Sequence, residues 1–339
     1  MTQAQAQGRK RIAVLGPYEL HPAARDVLSP DFDIVEVGPP GDPDRDELLA
    51  GAHGLVGAVT PGDLAACPVL EVIGIPGSGW DHVDVAGATA RGIPVVNAAG
   101  AQHAAVAEHA VGLMLSLAKR IAVSDRVFHE QKRFLPREHF TGDGWPGWPE
   151  EIDGKTIGIV GFGFIGRDLA RKCRLGFDMT VLAYDPFVDP DEMERQGVVP
   201  IEVLDDLMRT SDFVSLHMPL MPATERMIGE RELRLMQPHA YLLNLSRGGT
   251  VDEDALVRAL QEGWIRGAGI DVFDEEPARD NHPLYGMDNV VLTPHIGGWV
   301  IEAMPRLSAV MAREMRTVLR GGRPWRLVNP ESRQVLSSR

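Results

Sequence analysis

Short apolar runs rich in Val, Ile and Leu alternate with mixed polar stretches along most of the chain. In the first hundred residues, five such runs predict strands that begin at Arg11, Phe32, Gly54, Glu71 and Ile93. The stretches 23–28, 44–50 and 83–91 lie between strands and predict helices. Regular alternation of strands and helices favours parallel pairing with right-handed crossovers, which indicates an α/β fold.

A second block of the same kind begins near Lys155. Six runs in it predict strands at residues 157–160, 180–184, 213–216, 240–245, 267–271 and 290–292. Helices are predicted between them, notably at 165–175, 230–236 and 252–262. Six strands connected in this way fit a doubly wound parallel sheet of the dinucleotide-binding kind.

The last predicted helix, 299–320, lies beyond the second block, and we expect it to return to the first domain. The first domain would then be discontinuous, with residues 1–98 and 299–339, and the second would span residues 99–298. A length of 339 residues suits two domains, because a single core rarely grows that large.

Apolar residues recur at helical spacing from residue 103 to residue 119 and predict a long helix. The surrounding segment carries Gln102, Glu108 and His109, so a buried or interface helix is expected rather than a membrane span. A Gly-, Pro- and Trp-rich stretch follows at 141–149 and predicts a connection or an interface arm.

Composition narrows the class of partner. The formal net charge of -14 argues against a nucleic acid or an anionic membrane surface as a partner. The two cysteines, Cys67 and Cys173, suit a reducing cytosol, and neither has a second Cys or His at zinc-ligand spacing, so no metal is expected. The apolar run 12–15 is too short for a signal-peptide core, and we expect a cytoplasmic protein.

A glycine-spaced loop follows the first strand of the second block. Gly161, Gly163 and Gly166 stand in the sequence IGIVGFGFIG, and a helix is predicted directly after them. Such a loop turns tightly, lets the backbone approach a pyrophosphate, and directs a helix N-terminus at its charge. Asp185 ends the next strand, about 20 residues further on, where a carboxylate can bind an adenosine ribose. The alternative is an ordinary strand-to-helix turn.

Charged residues follow three later strands of the second block. Arg247 comes after the strand 240–245, and His295 comes after the last strand. Asp271 is the last residue of the strand 267–271, and Glu275 and Glu276 follow that strand. Taken singly, each is explained by a surface ion pair, a solvated acidic run or a structural histidine. Because ligands collect at the carboxyl ends of strands in open α/β sheets, together they predict a site.

These residue types support one reaction. An Arg can bind a carboxylate through two hydrogen bonds and polarise an adjacent carbonyl. A His can give a proton to that carbonyl oxygen as hydride arrives from a nicotinamide, and a Glu on its other nitrogen fixes the tautomer and favours the imidazolium. The combination describes reversible reduction of a 2-keto acid.

Seven motifs carry a family resemblance over residues 11–326. They are Gly77-Ser-Gly-Trp-Asp-His-Val-Asp, Val106-Ala-Glu-His, the glycine loop with Asp185, Leu216-His-Met-Pro-Leu, Asn244-Leu-Ser-Arg-Gly-Gly, Asp271-Val-Phe-Asp-Glu-Glu-Pro and Pro294-His-Ile-Gly-Gly. In this order and spacing the chain resembles the D-isomer-specific 2-hydroxyacid dehydrogenases. The resemblance implies two doubly wound parallel-sheet domains, a flavodoxin-like substrate domain and a Rossmann NAD-binding domain, with the active site in the cleft between them.

The resemblance also implies roles for individual residues. Arg247, Glu276 and His295 would form the catalytic triad, and the family pattern selects Glu276 rather than Glu275. Ser78 and Gly79 would bind the substrate carboxylate through backbone N–H groups, with Arg247 as a further substrate contact. Trp299 stands where the family usually has a small residue, and we expect it to contact the substrate by narrowing the pocket. Residues implied to contact the cofactor are Gly161, Gly163, Phe164, Ile165, Gly166, Asp185, Pro219, Thr224, Ser246, Asp271 and Gly298.

Asp185 would repel a 2′-phosphate and accept the 2′-OH, so NAD is the expected cofactor, and Asp271 would hold its carboxamide. The predicted long helix and arm match the region through which the family forms homodimers. Gln102, Met221 and Trp299 depart from common family residues and leave the particular 2-keto or 2-hydroxy acid open. Two alternatives are an NAD-sensing protein like the corepressors related to this family, and an enzyme like formate dehydrogenase.

Overall fold

The computed structural model describes residues 8–140 and 148–333. The chain divides into two compact units, one formed by Met1–Gln102 with Ile301–Arg339 and the other by His103–Val300. Most of the arm expected at residues 141–149 lies outside the described residues.

The first unit contains a five-stranded parallel sheet. Its strands are β1 (Arg11–Leu15), β2 (Asp33–Val37), β3 (Ala52–Val56), β4 (Val72–Gly74) and β5 (Val95–Val96). The spatial order β2-β1-β3-β4-β5 is that of flavodoxin-like folds, which confirms the fold class expected for this part. Four successive residues of β1, from Ile12 to Leu15, are buried, because helices cover both faces of the sheet.

Five α-helices are described in this unit: α1 (Pro22–Leu28), α2 (Arg45–Ala50), α3 (Pro61–Ala66), α4 (Val85–Ala90) and α12 (Ala303–Leu319). Helix α12 packs against α1, β3, β4 and β5, and Gly74 allows this approach because a Cβ there would overlap the sulfur of Met315. The helix was predicted to begin at Trp299, which is wrong by four residues. Pro305 can be accommodated only in the first helical turn, since it has no N–H to donate.

The second unit contains a seven-stranded parallel sheet. Its strands are β6 (Thr156–Val160), β7 (Thr180–Tyr184), β8 (Val199–Pro200), β9 (Phe213–Leu216), β10 (Tyr241–Asn244), β11 (Gly267–Ile270) and β12 (Val290–Leu292). The order β12-β11-β10-β9-β6-β7-β8 confirms the doubly wound dinucleotide-binding fold. The sequence predicted six strands. The seventh, β8, is a two-residue edge strand containing a proline, which only an edge position tolerates.

Seven α-helices are described in this unit. Two precede β6, namely α5 (His103–Ala118) and α6 (Ile121–Gln131). The other five lie between successive strands and are α7 (Phe164–Phe177), α8 (Pro190–Arg195), α9 (Leu204–Thr210), α10 (Glu230–Leu235) and α11 (Glu253–Gln261). The chain winds outward in opposite directions from β6 and β9, which are hydrogen-bonded neighbours. The crevice at the carboxyl ends of these two strands is therefore the expected ligand-binding position in the unit. Among the described residues, none of the helices combines the length and the hydropathy that a membrane-spanning helix requires.

Candidate active site

The glycine loop joins β6 to α7 at the crevice. Gly161 has a left-handed backbone (φ 95°), and a Cβ there would stand 2.8 Å from the carbonyl carbon of His217. A Cβ on Gly166 would overlap the carbonyl oxygen of Gly161. Both positions therefore require glycine. Gly161 is needed for its backbone conformation and its contact with the residue after β9, and Gly166 is needed because α7 packs directly against the turn.

Gly163 has a different environment. It caps the N-terminus of α7, and a Cβ added to it would meet nothing within 4 Å. Open space thus lies in front of the first helical residues, Phe164 and Ile165, at the N-terminus of α7. This arrangement fits a pyrophosphate, because helix N-termini attract anions and the missing side chain allows close approach.

Asp185 is fixed beside this loop at the end of β7. Its Oδ2 accepts a hydrogen bond from the N–H of Phe162 at 2.8 Å, and its Oδ1 accepts one from the N–H of Phe187 at 2.9 Å. Each oxygen retains a lone pair for a further donor. A carboxylate held in this way beside a glycine loop is suited to accept ribose hydroxyl hydrogen bonds.

His217, which follows β9, was given no role from the sequence. Its Nε2 lies 2.8 Å from Ser215 Oγ, whereas its buried Nδ1 has no hydrogen-bond partner among the described residues. Burial lowers the pKa of His217 to about 3, so the ring is neutral. An unsatisfied buried nitrogen on the residue whose backbone contacts Gly161, together with the open space at Gly163, fits a crevice that takes a polar ligand such as a dinucleotide. The only sequence signal was its place in Leu216-His-Met-Pro-Leu.

The expected groove residues Pro219 and Thr224 lie in the loop after β9. The Thr224 hydroxyl donates to the Pro219 carbonyl at 2.6 Å and accepts from the N–H of Met221 at 2.9 Å. The hydroxyl therefore stabilises the loop itself. Contact of either residue with the cofactor stays a prediction.

The loop after β10 carries Arg247 and is held by Asn244. The Asn244 Oδ1 accepts from the N–H of Ser246 at 3.1 Å and from its hydroxyl at 2.8 Å, while the Asn244 amide donates to the carbonyl of Arg247 at 3.1 Å. Ser246 is buried, and its hydroxyl also lies 3.0 Å from that of Thr250. The half-buried Arg247 thus projects from a loop whose backbone is fixed by side chains.

Glu276 connects the loop after β11 to the histidine after β12. Its Oε1 accepts from the N–H of Phe273 at 3.1 Å, and its Oε2 lies 2.6 Å from Nδ1 of His295. Both side chains are partly exposed. The pairing occupies Nδ1 and leaves Nε2 as the nitrogen that can exchange a proton with a substrate.

Asp271 is buried beneath this histidine. Its Oδ1 accepts from the Thr293 hydroxyl at 2.6 Å and from the N–H of Ile296 at 3.0 Å, and its Oδ2 accepts from the N–H of Gly297 at 2.9 Å. Burial by itself would raise the pKa of Asp271, but the nearby His109 ring and the hydrogen bonds from Thr293 and the two amides together lower it. The carboxylate is therefore charged and largely committed to the loop that carries His295. One lone pair of Oδ2 is left for the predicted contact with a carboxamide.

The remaining predicted substrate residues lie elsewhere in the chain. Ser78 and Gly79 follow β4 in the first unit, where the Ser78 carbonyl accepts from Asn97 at 2.9 Å and the Ser78 hydroxyl from Gln102 at 3.2 Å. Gln102, one of the departures from the family pattern, thus contacts a residue expected to bind substrate. Trp299 is exposed and follows the buried Gly298. Roles for these residues in binding stay predictions.

Within residues 8–140 and 148–333, no group of three or more His, Cys, Asp or Glu side chains is placed to hold a metal ion. The second unit thus combines a doubly wound sheet, a glycine loop with open space at a helix N-terminus that fits a pyrophosphate, and a paired Glu and His at the carboxyl ends of its strands. This combination defines the class as a dinucleotide-dependent oxidoreductase.

Residues 111–297 match the family model of the D-isomer specific 2-hydroxyacid dehydrogenase NAD binding domain. The chain is also 40% identical over 307 residues to a glyoxylate reductase of Thermofilum pendens, covering 86% of this chain and 87% of that one. The chain therefore belongs to the D-isomer specific 2-hydroxyacid dehydrogenases, and the predicted family and oxidoreductase class are confirmed. A nicotinamide cofactor, NAD(P), is confirmed as well, and the expected preference for NAD over NADP stays a prediction.

Two further relatives show the range of the family. A D-3-phosphoglycerate dehydrogenase of Methanocaldococcus jannaschii is 39% identical over 260 residues, which cover 77% of this chain but only 48% of that longer one. A solved NADPH-dependent glyoxylate/hydroxypyruvate reductase from Sinorhizobium meliloti has a TM-score of 0.80 at 28% identity, covering 96% of this chain and 99% of that one.

Proposed function

We propose that this protein catalyses the NAD-dependent, reversible reduction of a small 2-keto acid to the D-2-hydroxy acid. The observation that carries the proposal is the 2.6 Å pairing of His295 Nδ1 with Glu276 Oε2, which leaves Nε2 available for proton exchange. Bound NADH supplies the hydride. His295, as general acid, gives its Nε2 proton to the substrate carbonyl oxygen, and it takes that proton back in the reverse direction.

Glu276 and Arg247 have separate functions in this scheme. The Glu276 carboxylate keeps the His295 ring oriented and stabilises its positive charge before the proton is given up. Arg247 binds the substrate carboxylate through its guanidinium group and polarises the neighbouring carbonyl. The loop hydrogen bonds around Asn244 and Ser246 support this role, since a clamp residue needs a fixed backbone.

We further propose NAD rather than NADP as the preferred cofactor. The carboxylate of Asp185 supports this preference, because it is fixed beside the glycine loop and would repel a 2′-phosphate. The Sinorhizobium meliloti relative is described as NADPH-dependent, so cofactor choice varies among proteins of this fold. Glyoxylate and hydroxypyruvate, the compounds in the relatives' names, are the first substrates to be tested.

The test is an initial-rate screen of glyoxylate, hydroxypyruvate, pyruvate, phosphorylated keto acids and aromatic keto acids with NADH and NADPH. Oxidation of NADH by at least one small 2-keto acid is expected. Arg247→Ala should abolish turnover while leaving NADH binding nearly unchanged. Arg247→Lys is the matched control, because it keeps the positive charge but loses the planar guanidinium group that can make two parallel hydrogen bonds to a carboxylate. NADH binding without turnover on any acid would instead favour the nucleotide-sensing alternative.

A homodimer and a cytoplasmic location complete the proposal. Helix α6 buries none of its residues, and Ile121, Phe134 and Trp148 are exposed at or after it, which supports a second copy covering this region. Both free cysteines fit a reducing compartment. Light scattering after gel filtration should give twice the 37.0 kDa chain mass, and a monomer at micromolar concentration would contradict the dimer.

A further inference from the structure

Helix α5 brings His109 to the end of β11. Gly269 of that strand is in contact with α5, because a Cβ on it would stand 3.0 Å from the Cβ of Leu113. His109 precedes Leu113 by four residues, and Asp271 follows Gly269 by two. Four residues along the helix and two residues along the strand both cover about 5–7 Å. Starting from the contact between Leu113 and Gly269, these equal distances bring His109 next to Asp271.

The contacts of His109 define its protonated nitrogen. Its Nε2 lies 2.9 Å from Thr293 Oγ1 and 3.5 Å from Asp271 Oδ1. The Thr293 hydroxyl has one hydrogen and donates it to Asp271 Oδ1 at 2.6 Å. Towards His109 the hydroxyl oxygen can therefore only accept a hydrogen bond. His109 Nε2 therefore carries hydrogen and donates, and the order of donation is His109 to Thr293 to Asp271.

The same carboxylate holds the turn that carries His295. His295 has a left-handed backbone (φ 55°), a conformation that is unfavourable for a residue other than glycine. Three hydrogen bonds retain it: the N–H of His295 donates to the Asp271 carbonyl at 2.7 Å, and those of Ile296 and Gly297 donate to the Asp271 carboxylate.

Gly297 ties this turn to His109 directly. A Cβ on Gly297 would stand 2.9 Å from Asp271 Oδ2 and 3.3 Å from the Cδ2 atom of His109. The turn 295–297 therefore packs against the carboxylate and the imidazole together. Movement of either group would be transmitted to the backbone of His295.

We propose that His109 is a positioning residue for His295, acting through Thr293 and Asp271. This inference rests on the proposed role of His295 as general acid. His109 does not touch the reacting atoms. Through Thr293, His109 holds the carboxylate of Asp271 in place, and Asp271 in turn holds the 295–297 turn. The backbone of this turn sets the orientation of the His295 ring. A displacement of a proton donor by about 1 Å can lower a rate about 100-fold, so the anchor affects turnover rather than substrate binding.

The test compares His109→Leu, which removes the donor, with His109→Gln, whose amide can reach Thr293. The Leu variant should lose 10- to 100-fold in kcat, with the KM for NADH and for the keto acid changed less than threefold. The Gln variant should recover kcat to within about fivefold of wild type. Glu108→Gln, on the same turn of α5 but exposed, is the matched control and should change neither constant.

Crystal structures of the two His109 variants give a readout that needs no turnover. The 295–297 turn should be displaced from Asp271 in the Leu variant and in place in the Gln variant. The proposal is overturned if the Leu variant keeps kcat within twofold of wild type, changes only KM, or keeps the turn in place. If the Leu variant does not fold, Thr293→Val, with Thr293→Ser as its control, is judged by the same criteria.

Failure of the proposed function would be seen separately. Wild-type protein would then turn over no 2-keto acid, or His295→Asn would retain wild-type kcat. In the first case the crystal structures alone decide whether His109 positions the turn. In the second case His295 is not the general acid, and the proposed role of His109 is overturned with it.

Discussion

Gly248 packs so closely against the backbone of Phe273 that a Cβ on Gly248 would overlap the Phe273 carbonyl group. The two residues lie in different loops, one after β10 with Arg247 and the other after β11 with Glu276. Their contact fixes the distance between the two loops. Gly248 is buried, and its backbone is not in the left-handed region. Glycine is therefore required at this position by the close contact with Phe273 and not by the backbone conformation.

Gly248→Ala should therefore separate the loops. We expect a loss of about 1–3 kcal/mol in the free energy of unfolding, as for other overpacked buried sites, and a fall in kcat of tenfold or more. Urea unfolding and initial rates measure the two effects. Gly249→Ala is the control, because its Cβ would meet only the Leu220 side chain, at 3.3 Å. Equal behaviour of the two variants would show that the loop contact is unimportant.

Asp185→Asn should change cofactor preference with little effect on the fold. The amide keeps an oxygen to accept from Phe162 or Phe187 but removes the charge that would oppose a 2′-phosphate. Removing it should raise the ratio of kcat/KM for NADPH to that for NADH by about tenfold or more, which corresponds to 1.4 kcal/mol or more. An unchanged ratio would mean that Asp185 does not face the 2′ position.

His217 should make the folded state sensitive to acid. Burial lowers its pKa to about 3 in the folded protein, whereas an unfolded histidine titrates near 6.5. Between these values the unfolded chain binds one more proton, so the stabilisation present above pH 6.5 is lost as pH falls. From pH 7 to pH 5 the loss attributable to His217 is about 2 kcal/mol.

Urea unfolding of wild type and His217→Asn at pH 7 and pH 5 measures this loss. The variant should lose about 2 kcal/mol less than wild type on acidification, although it is less stable at pH 7 if the Ser215 contact is weakened. Identical pH dependence in wild type and His217→Asn would refute the assignment.

The two thiols should be inert in the folded protein. Burial raises the pKa of Cys67 to about 11, with Asp63 adding to the shift, and burial raises the pKa of Cys173 to about 12. At pH 8 both are protonated and inaccessible, so neither should react with Ellman's reagent within minutes. Two thiols per chain should react after guanidinium is added. Rapid labelling without denaturant would show that a core segment opens.

Much of this protein was determined by local sequence. The apolar runs, their spacing and the glycine loop predicted both parallel sheets, because side-chain periodicity and the conformation of glycine act over a few residues. The ordered motifs predicted the family, and they named Glu276 and His295, which the structure places 2.6 Å apart. Edge features were less predictable: β8 has two residues, and the start of α12 depends on how many residues can precede Pro305.

Only the tertiary structure decided what supports the site. The sequence named Asp271 as a cofactor contact, whereas most of its hydrogen bonds hold the turn of His295. His109 reaches Thr293 across 184 residues, and Gly248 is required by a neighbouring loop. No periodicity signals such pairs, because they depend on which strands are adjacent and where α5 crosses them. The sequence thus determined which side chains can take part in the reaction, and tertiary packing determined which other residues hold those side chains in position.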